Sequence, residues 1–292
     1  MTDRPLPHLP PQRLADRGVI SIAGPDATTF LHNLVCANIE RLEIGAATYS
    51  ALLSPQGKVL FDFFVVLTED GYLLDVAANE AAALGKRLSM YRLRSQVTIT
   101  DRSTGLAVVV ASSHDDLPAG GVIFRDPRHI DLGYRAIGPL ASAEALPPAG
   151  NDYEHLRIEL AIPESGRDFK AGDVVPHDIN LDDLNAVDFR KGCYIGQEIV
   201  SRMKHRGTAR KRLVHVRPKD GDLPEAGTEV LAGARSIGTM GSSSGGIGLA
   251  ILRLDWVKDA IDSGISITAD GTALAVSLPA YARFDFPAAS SD

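Results

Sequence analysis

Sulfur and large aromatic anchors are scarce in this chain: its 292 residues include two cysteines, four methionines and one tryptophan. Two thiols without close spacing make no disulfide framework and fit a reducing compartment. They cannot hold an iron–sulfur cluster alone, which takes four thiolates, and no Cys/His cluster with the spacing of a structural zinc site is present. No apolar run is long enough to cross a bilayer, and the longest, residues 59–67, is interrupted by Asp62. The first 13 residues are proline-rich and lack the basic-then-apolar order of a secretory signal. Between Tyr194 and Trp256 there is no Phe, Tyr or Trp, so the basic stretch in that interval lacks a stacking platform for RNA. These absences predict a cytoplasmic protein with no metal site of its own, no membrane partner and no stable nucleic-acid complex.

What the chain does have is uneven charge. Its 30 Lys and Arg against 37 Asp and Glu leave a net −7. Within residues 190–212, however, Arg190, Lys191, Arg202, Lys204, Arg206, Arg210, Lys211 and Arg212 face Glu198 alone, a local +7 that leaves −14 for the rest. Such asymmetry suits an anionic ligand on an acidic body, or a merely solvated basic surface.

The length suits two or three packed subdomains. Residues 19–22, 47–53, 58–67, 72–76, 97–100 and 107–111 read as strands, with turns at Ser54-Pro55-Gln56-Gly57 and Glu69-Asp70-Gly71. Phe30, Leu31, Leu34 and Val35 recur at helical spacing, and Cys36 after them reads as a core residue. Asn79 is placed to cap a helix reaching Arg94, residues 152–160 read as helix, and Asn180 reads as the cap of a short helix with Asp182 and Asp183 in its first turn. Short strand candidates at 212–216, 229–231, 248–254, 266–268 and 274–278 predict a small C-terminal β-barrel or sandwich, with 241–246 as a flexible loop. Hairpins alternating with helices predict an α+β fold with antiparallel sheets. The expected division is 1–212, 213–286 and a frayed tail, 287–292.

The segment richest in chemistry is Lys191-Gly192-Cys193-Tyr194-Ile195-Gly196-Gln197-Glu198. It sets Cys193 in a glycine-flanked bend beside Arg190 and Lys191, ahead of a helical run in which Ile199, Val200 and Met203 form an apolar stripe and Glu198 and Arg202 stand four apart. A helix N-terminus and nearby cations favour the thiolate, the form that attacks and binds metals. Cys193 is therefore the candidate acting group, against the alternative of a buried structural thiol. Gln197 offers two-sided hydrogen bonding or simply satisfies the turn.

These eight residues, with Arg202 and the run His205-Arg206-Gly207-Thr208-Ala209-Arg210-Lys211-Arg212, resemble the signature of the YgfZ folate-binding family, whose mitochondrial relatives are iron–sulfur assembly factors of the Iba type. The resemblance extends to residues 24–34, 54–62, 249–254 and Tyr91-Arg92-Leu93-Arg94-Ser95-Gln96-Val97. It implies the fold of the glycine-cleavage T-protein, an aminomethyltransferase: three subdomains in a ring around a folate channel, the last a small β-barrel. It implies tetrahydrofolate as cofactor and a role in building or repairing [4Fe–4S] clusters, notably in enzymes of tRNA modification, with client or assembly proteins as partners. Cys193, Lys191 and Gln197 are then the acting residues, and Asp62, Arg94, Glu159, Tyr194, Glu198 and Arg202 the folate contacts; Arg92 and Arg206 also suit the glutamate-tail carboxylates. Glu159 closes the match Arg157-Ile158-Glu159 to the T-protein's folate-contacting glutamate, and a carboxylate there accepts two hydrogen bonds from a pterin edge. Where the T-protein carries paired acids, this chain has Phe61-Asp62, which argues against aminomethyl transfer. A folate-dependent one-carbon transferase using Asp62, and an RNA-binding module using residues 203–212, are the other readings.

Overall fold

The computed structural model describes residues 8–207 and 209–287. Two compact units emerge. One holds the chain up to Tyr153 together with Leu184–Gln197; the other holds Glu154–Asp183 and the chain from Glu198 on. The tail expected from residue 287 lies, but for Pro287, outside the described residues.

In the first unit the order is β1 (Gln12–Leu14), β2 (Arg17–Ala23), α1 (Ala27–His32), β3 (Ala47–Leu53), β4 (Val59–Thr68), β5 (Gly71–Ala77), α2 (Ala78–Tyr91), β6 (Thr98–Asp101), β7 (Leu106–Ala111), β8 (Val122–Arg125), β9 (Tyr134–Pro139) and α3 (Leu140–Ala143). The strands form an antiparallel five-stranded sheet, β3-β4-β5-β2-β6, and a four-stranded one, β1-β7-β9-β8.

Period-two alternation gives the five-stranded sheet two different faces. On one, Ile20, Ile22, Phe63, Val65, Leu74 and Val76 pack with Phe30 and Leu31 of α1 and Leu84 and Leu88 of α2 in an apolar core. On the other, Tyr49, Phe64 and Asp75 stand side by side, because Phe64 pairs with both of its neighbours in the ladder. Asp75 is fully buried there, bound by Arg17 Nε at 2.6 Å and by both Nε and Nη2 of Arg135 on β9, so one carboxylate ties the two sheets together. Burial alone would raise Asp75, but the Arg135 and Arg17 guanidiniums outweigh it and hold the carboxyl below its ordinary range. Arg128, paired with buried Asp126, and Arg135 lie 4.7 and 4.2 Å over the Phe64 ring.

The chain continues through α4 (Asn151–Glu159), which straddles the two units, and α5 (Gln197–Arg206). The second unit is built on β10 (Lys211–Pro218), β11 (Glu229–Ala232), β12 (Arg235–Ser244), β13 (Ile247–Arg253), α6 (Leu254–Asp262), β14 (Ile267–Ala269) and β15 (Thr272–Ser277). The six strands close into a barrel, β10-β13-β12-β11-β14-β15, which leaves no free sheet edge within it. Val214, Val216, Ile237, Met240, Leu252 and Leu274 pack its inside with Leu254 and Val257 of α6.

The α+β class, the antiparallel sheets and the C-terminal barrel agree with expectation; several local readings do not. The flexible loop expected at 241–246 is largely strand, since β12 runs to Ser244 and only Gly245 and Gly246 form the turn. A bulge between Met240 and Ser243 disguises the alternation there. Asn180 does not cap a following helix. It ends the short 3₁₀ turn Pro176–Ile179 with φ +56, a left-handed conformation that Asn tolerates, and its Nδ2 donates to the Leu213 carbonyl. Asp182 and Asp183 are instead buried partners of the Arg212 guanidinium and the Arg283 N–H. α2 begins at Ala78, with no side-chain cap, and stops at Tyr91 rather than Arg94. Leu93, at φ +44, breaks it, a conformation costing a non-glycine residue about 1–2 kcal/mol.

His177 is fully buried beside Asp182. Burial pulls its pKa down to about 4 from an ordinary 6.5; Asp182 opposes that and Arg212 adds to it. The unfolded chain then binds a proton that the folded one refuses, so stability is complete above pH 6.5 and falls as the pH drops towards 4. The expected loss is about 3 kcal/mol. Urea unfolding between pH 7 and 4 checks it, with His177→Asn expected to flatten the slope.

Candidate functional site

The motif segment 191–196 belongs to the first unit, and it is clamped residue by residue. Asp188 N–H donates to the Cys36 carbonyl at 3.0 Å, and Arg190 N–H donates to Asp188 Oδ1. Lys191, only 7% exposed, sends its ammonium inward and donates to three carbonyls: His32 at 2.6 Å, Val35 at 2.6 Å and Ala37 at 2.9 Å. These carbonyls belong to α1 and the turn after it, so one cation holds three otherwise unmatched acceptors. Burial lowers Lys191 to about 8, countered by the nearby Asp188 and Glu40 carboxylates.

Tyr194 is buried, with the Lys191 ammonium 5.3 Å from its ring centre, and its hydroxyl lacks a hydrogen-bond partner. Ile195 packs on the helix-covered core. Gly196 has φ +82, and a Cβ there would lie 2.6 Å from the Ser54 carbonyl oxygen and 3.1 Å from Gly57 Cα, so glycine is needed for both the conformation and the close approach. With both ends held, Gly192 and Cys193 form the exposed crest of the bend. The other cysteine, Cys36, is completely buried; its Sγ lies 3.2 Å from the Ala51 carbonyl, and burial pushes its thiol up to about 12. Of the two thiols, one is exposed.

Ala51, which receives Cys36, pairs across the β3–β4 hairpin with Asp62. Asp62 is buried, accepts the Tyr49 hydroxyl at 2.6 Å through Oδ2, and has no partner for Oδ1. Burial raises its carboxyl, against the Tyr49 bond and the Arg17 and Arg128 charges. The first unit thus holds an open, buried acceptor of the kind a polar ligand satisfies.

The remaining residues named from sequence are dispersed. Lys191, Cys193, Tyr194, Gln197, Asp62 and Arg94 fall in the first unit; Glu159, Glu198 and Arg202 fall in the second. Lys191 faces away from solvent, with all three donors committed. Gln197, half-buried, starts α5 and donates its N–H to the Tyr194 carbonyl. Glu198 and Arg202 pair with each other on an exposed face, Arg94 is exposed, and Glu159 lies 3.7 Å from His155 Nε2. In the match Arg157-Ile158-Glu159 the committed member is Arg157, buried and bound to Glu154, Asp168, Ser242 and the Ile162 carbonyl. The basic run also divides: Arg212 and Lys191 are buried structural cations, whereas Arg206 and Lys204 stay exposed. A cleft of about 750 Å³ in the second unit, lined by Lys170, Lys211, Arg253 and Trp256 among others, takes Lys211 from the basic run but none of the acting or folate-contact residues named from sequence.

Sequence reasoning missed Tyr49, the partner of Asp62, and the Ser54–Gly57 turn as the seat of Gly196. Neither carries a local signal, because each depends on which segment the register brings alongside.

Antiparallel sheets, a closed six-stranded barrel and one reachable thiol define the class: an aminomethyltransferase-like fold carrying a cysteine motif. The same fold appears in the crystal structure of glycine cleavage system aminomethyltransferase T from Bartonella henselae, with TM-score 0.76 at 18% identity, covering 93% of this chain and 86% of that one. Residues 15–111 match the GCVT N-terminal domain, and residues 210–284 match the CAF17 C-terminal beta-barrel domain. The mitochondrial iron-sulfur cluster assembly factor IBA57 of Homo sapiens is 32% identical over 91% of this chain and 83% of its own length. Its Mus musculus counterpart is 33% identical over 84% and 78%, and the Pyricularia oryzae homologue 32% over 84% and 72%. The chain belongs to the IBA57 family of iron–sulfur cluster assembly factors.

The cytoplasmic assignment is overturned, since these relatives are mitochondrial. Two unpaired cysteines indicate a reducing environment and say nothing about which reducing compartment it is.

Lys191→Met leaves three buried carbonyls without donors and is expected to cost about 3 kcal/mol or more. Gly196→Ala forces both the φ angle and the Ser54 contact and is expected to cost about 2 kcal/mol or more. Urea midpoints give the magnitudes; faster amide exchange across 188–196 in both variants, with α2 unchanged, gives the location.

Proposed function

We propose that this chain is a tetrahydrofolate-binding accessory factor for the assembly or repair of [4Fe–4S] clusters in client enzymes, acting through the thiol of Cys193. The observation that carries the reading is the exposed crest at Cys193, held by Lys191, Tyr194 and Gly196 while the second cysteine is buried. A cluster takes four thiolates, and a chain offering one reaches the rest through partners. Cys193 is then one ligand to a cluster that is cargo, with the remaining ligands supplied by assembly or client proteins. The thiolate is the ligating form, and its position on a bend clamped at both ends lowers the ordering cost of meeting a partner.

The relation to the YgfZ family, drawn from residues 191–198, extends the reading to reduced folate. Asp62 fits such a ligand: its Oδ1 is a buried acceptor with no partner, and Tyr49 fixes the other oxygen. A bound reduced folate supplies a one-carbon carrier, and the residues here bind and orient it. Asp62 accepts from an N–H of the ligand, and Tyr49 sets the carboxyl plane. Phe61, standing where the T-protein has one acid of its pair, argues for a binding role over aminomethyl turnover.

In cells carrying Cys193→Ser, the activity of a [4Fe–4S] enzyme falls to the level of cells without the protein, while the variant keeps wild-type stability; normal enzyme activity would refute the role given to the thiol. Calorimetric titration with tetrahydrofolate tests the second part separately. Wild type binds, Asp62→Asn binds at least about tenfold more weakly, and Cys193→Ser binds as wild type.

A further inference from the structure

The loop closing α2 joins three properties that rarely coincide. Leu93 is 88% exposed and Met90 62%. Residues 81–100 contain Lys86, Arg87, Arg92 and Arg94 and no Asp or Glu, in a chain of net charge −7. None of these four cations is in an ion pair among the described residues. Moreover, Leu93 is held at a positive φ.

That conformation is imposed from outside the side chain. Ser95 N–H donates to the Arg92 carbonyl at 2.7 Å, and Gln96 N–H donates to Asp26 Oδ2 at 2.7 Å. Gly24 approaches so closely that a Cβ there would lie 2.3 Å from the Gln96 carbonyl oxygen. Asp26, which lines the same shallow hollow as Leu93, Arg94 and Ser95, is thereby engaged by a backbone N–H. The fold thus accepts backbone strain at Leu93 and recovers no packing for its side chain, an arrangement expected where a residue is presented to something else.

We propose that this loop is a docking surface for an acidic protein, with Leu93 and Met90 entering an apolar socket rimmed by the partner's carboxylates, which pair with Arg92, Arg94, Arg87 and Lys86. Complementary charge selects the partner and speeds encounter, while the leucine knob supplies desolvated area at the centre. A bilayer fits less well. The apolar face of α2, with Ala81, Leu84 and Leu88, is buried inside the unit, leaving two side chains to insert, and a fluid phase has no use for a knob held in one strained geometry. RNA fits less well because Tyr91 is the only aromatic of the stretch and is partly buried in the core. The inference uses neither Cys193 nor Asp62, and it gives Arg92 and Arg94 the carboxylates of a protein in place of the folate tail expected from sequence.

The test is an NMR titration of the full-length ¹⁵N-labelled chain with a synthetic peptide of glutamates and aspartates flanking two phenylalanines. Parallel titrations use the same peptide with serine for phenylalanine, phosphatidylglycerol vesicles, and tRNA. The phenylalanine peptide is expected to shift amides of residues 86–96 selectively, and to bind at least about threefold more tightly than the serine peptide. Arg92→Glu with Arg94→Glu is expected to weaken it by about tenfold. Leu93→Gly is expected to weaken it while raising the thermal midpoint, since glycine adopts the positive φ freely, which separates lost docking from lost folding. Shifts spread over the whole surface, unchanged affinity in these variants, or stronger binding of vesicles or tRNA at residues 86–96 would each overturn the proposal.

Discussion

The arrangement around the cysteine motif depends on one buried cation. Lys191 places its ammonium among the carbonyls of His32, Val35 and Ala37, and no other residue type both reaches that far and supplies three donors from a single atom. The interaction works in two directions. It ends α1 and fixes the turn that feeds β3, and it anchors the segment that raises Cys193 into solvent. Gly196 completes the clamp from the other side by lying flat against the turn between β3 and β4. The thiol is thus exposed on a segment tied down on both sides, the presentation on which the proposed role rests.

Beneath it, the first unit solves a harder problem. The face of the five-stranded sheet turned away from α1 and α2 carries Asp62, Asp75 and Tyr49, and the unit places Arg17, Arg128 and Arg135 among them. Buried charges are tolerated only when fully matched. Asp75 and Asp126 are matched, and their carboxyls sit below the ordinary range; Asp62 has one unmatched oxygen and its carboxyl is raised. That contrast between neighbouring acids sets the fully paired Asp75 and Asp126 apart from Asp62, whose second oxygen has no partner.

Much of the local structure was legible in residue order. The β4 strand shows its alternation, the Phe30-Leu31-Leu34-Val35 stripe its helix, and the glycines around Cys193 their bend. Legibility failed where a residue has two local meanings and a distant partner chooses between them. Asn180 is as good a left-handed C-cap as an N-cap, and the Leu213 carbonyl decides. The 241–246 run has the composition of a loop, yet pairing with β13 makes most of it strand. Lys191, read as a cation beside the thiol, turns inward because three carbonyls there need donors.

Residue order by itself determined the fold class, a strand-rich C-terminal region and the singling out of Cys193, because periodicity, turn chemistry and a scarce residue are written locally; that those strands close into a barrel was left to their pairing. Which sulfur is exposed, which acid is left unmatched and which cations are free were decided by tertiary structure alone. Burial and pairing are properties of neighbours, and neighbours are set by strand register and close backbone approach.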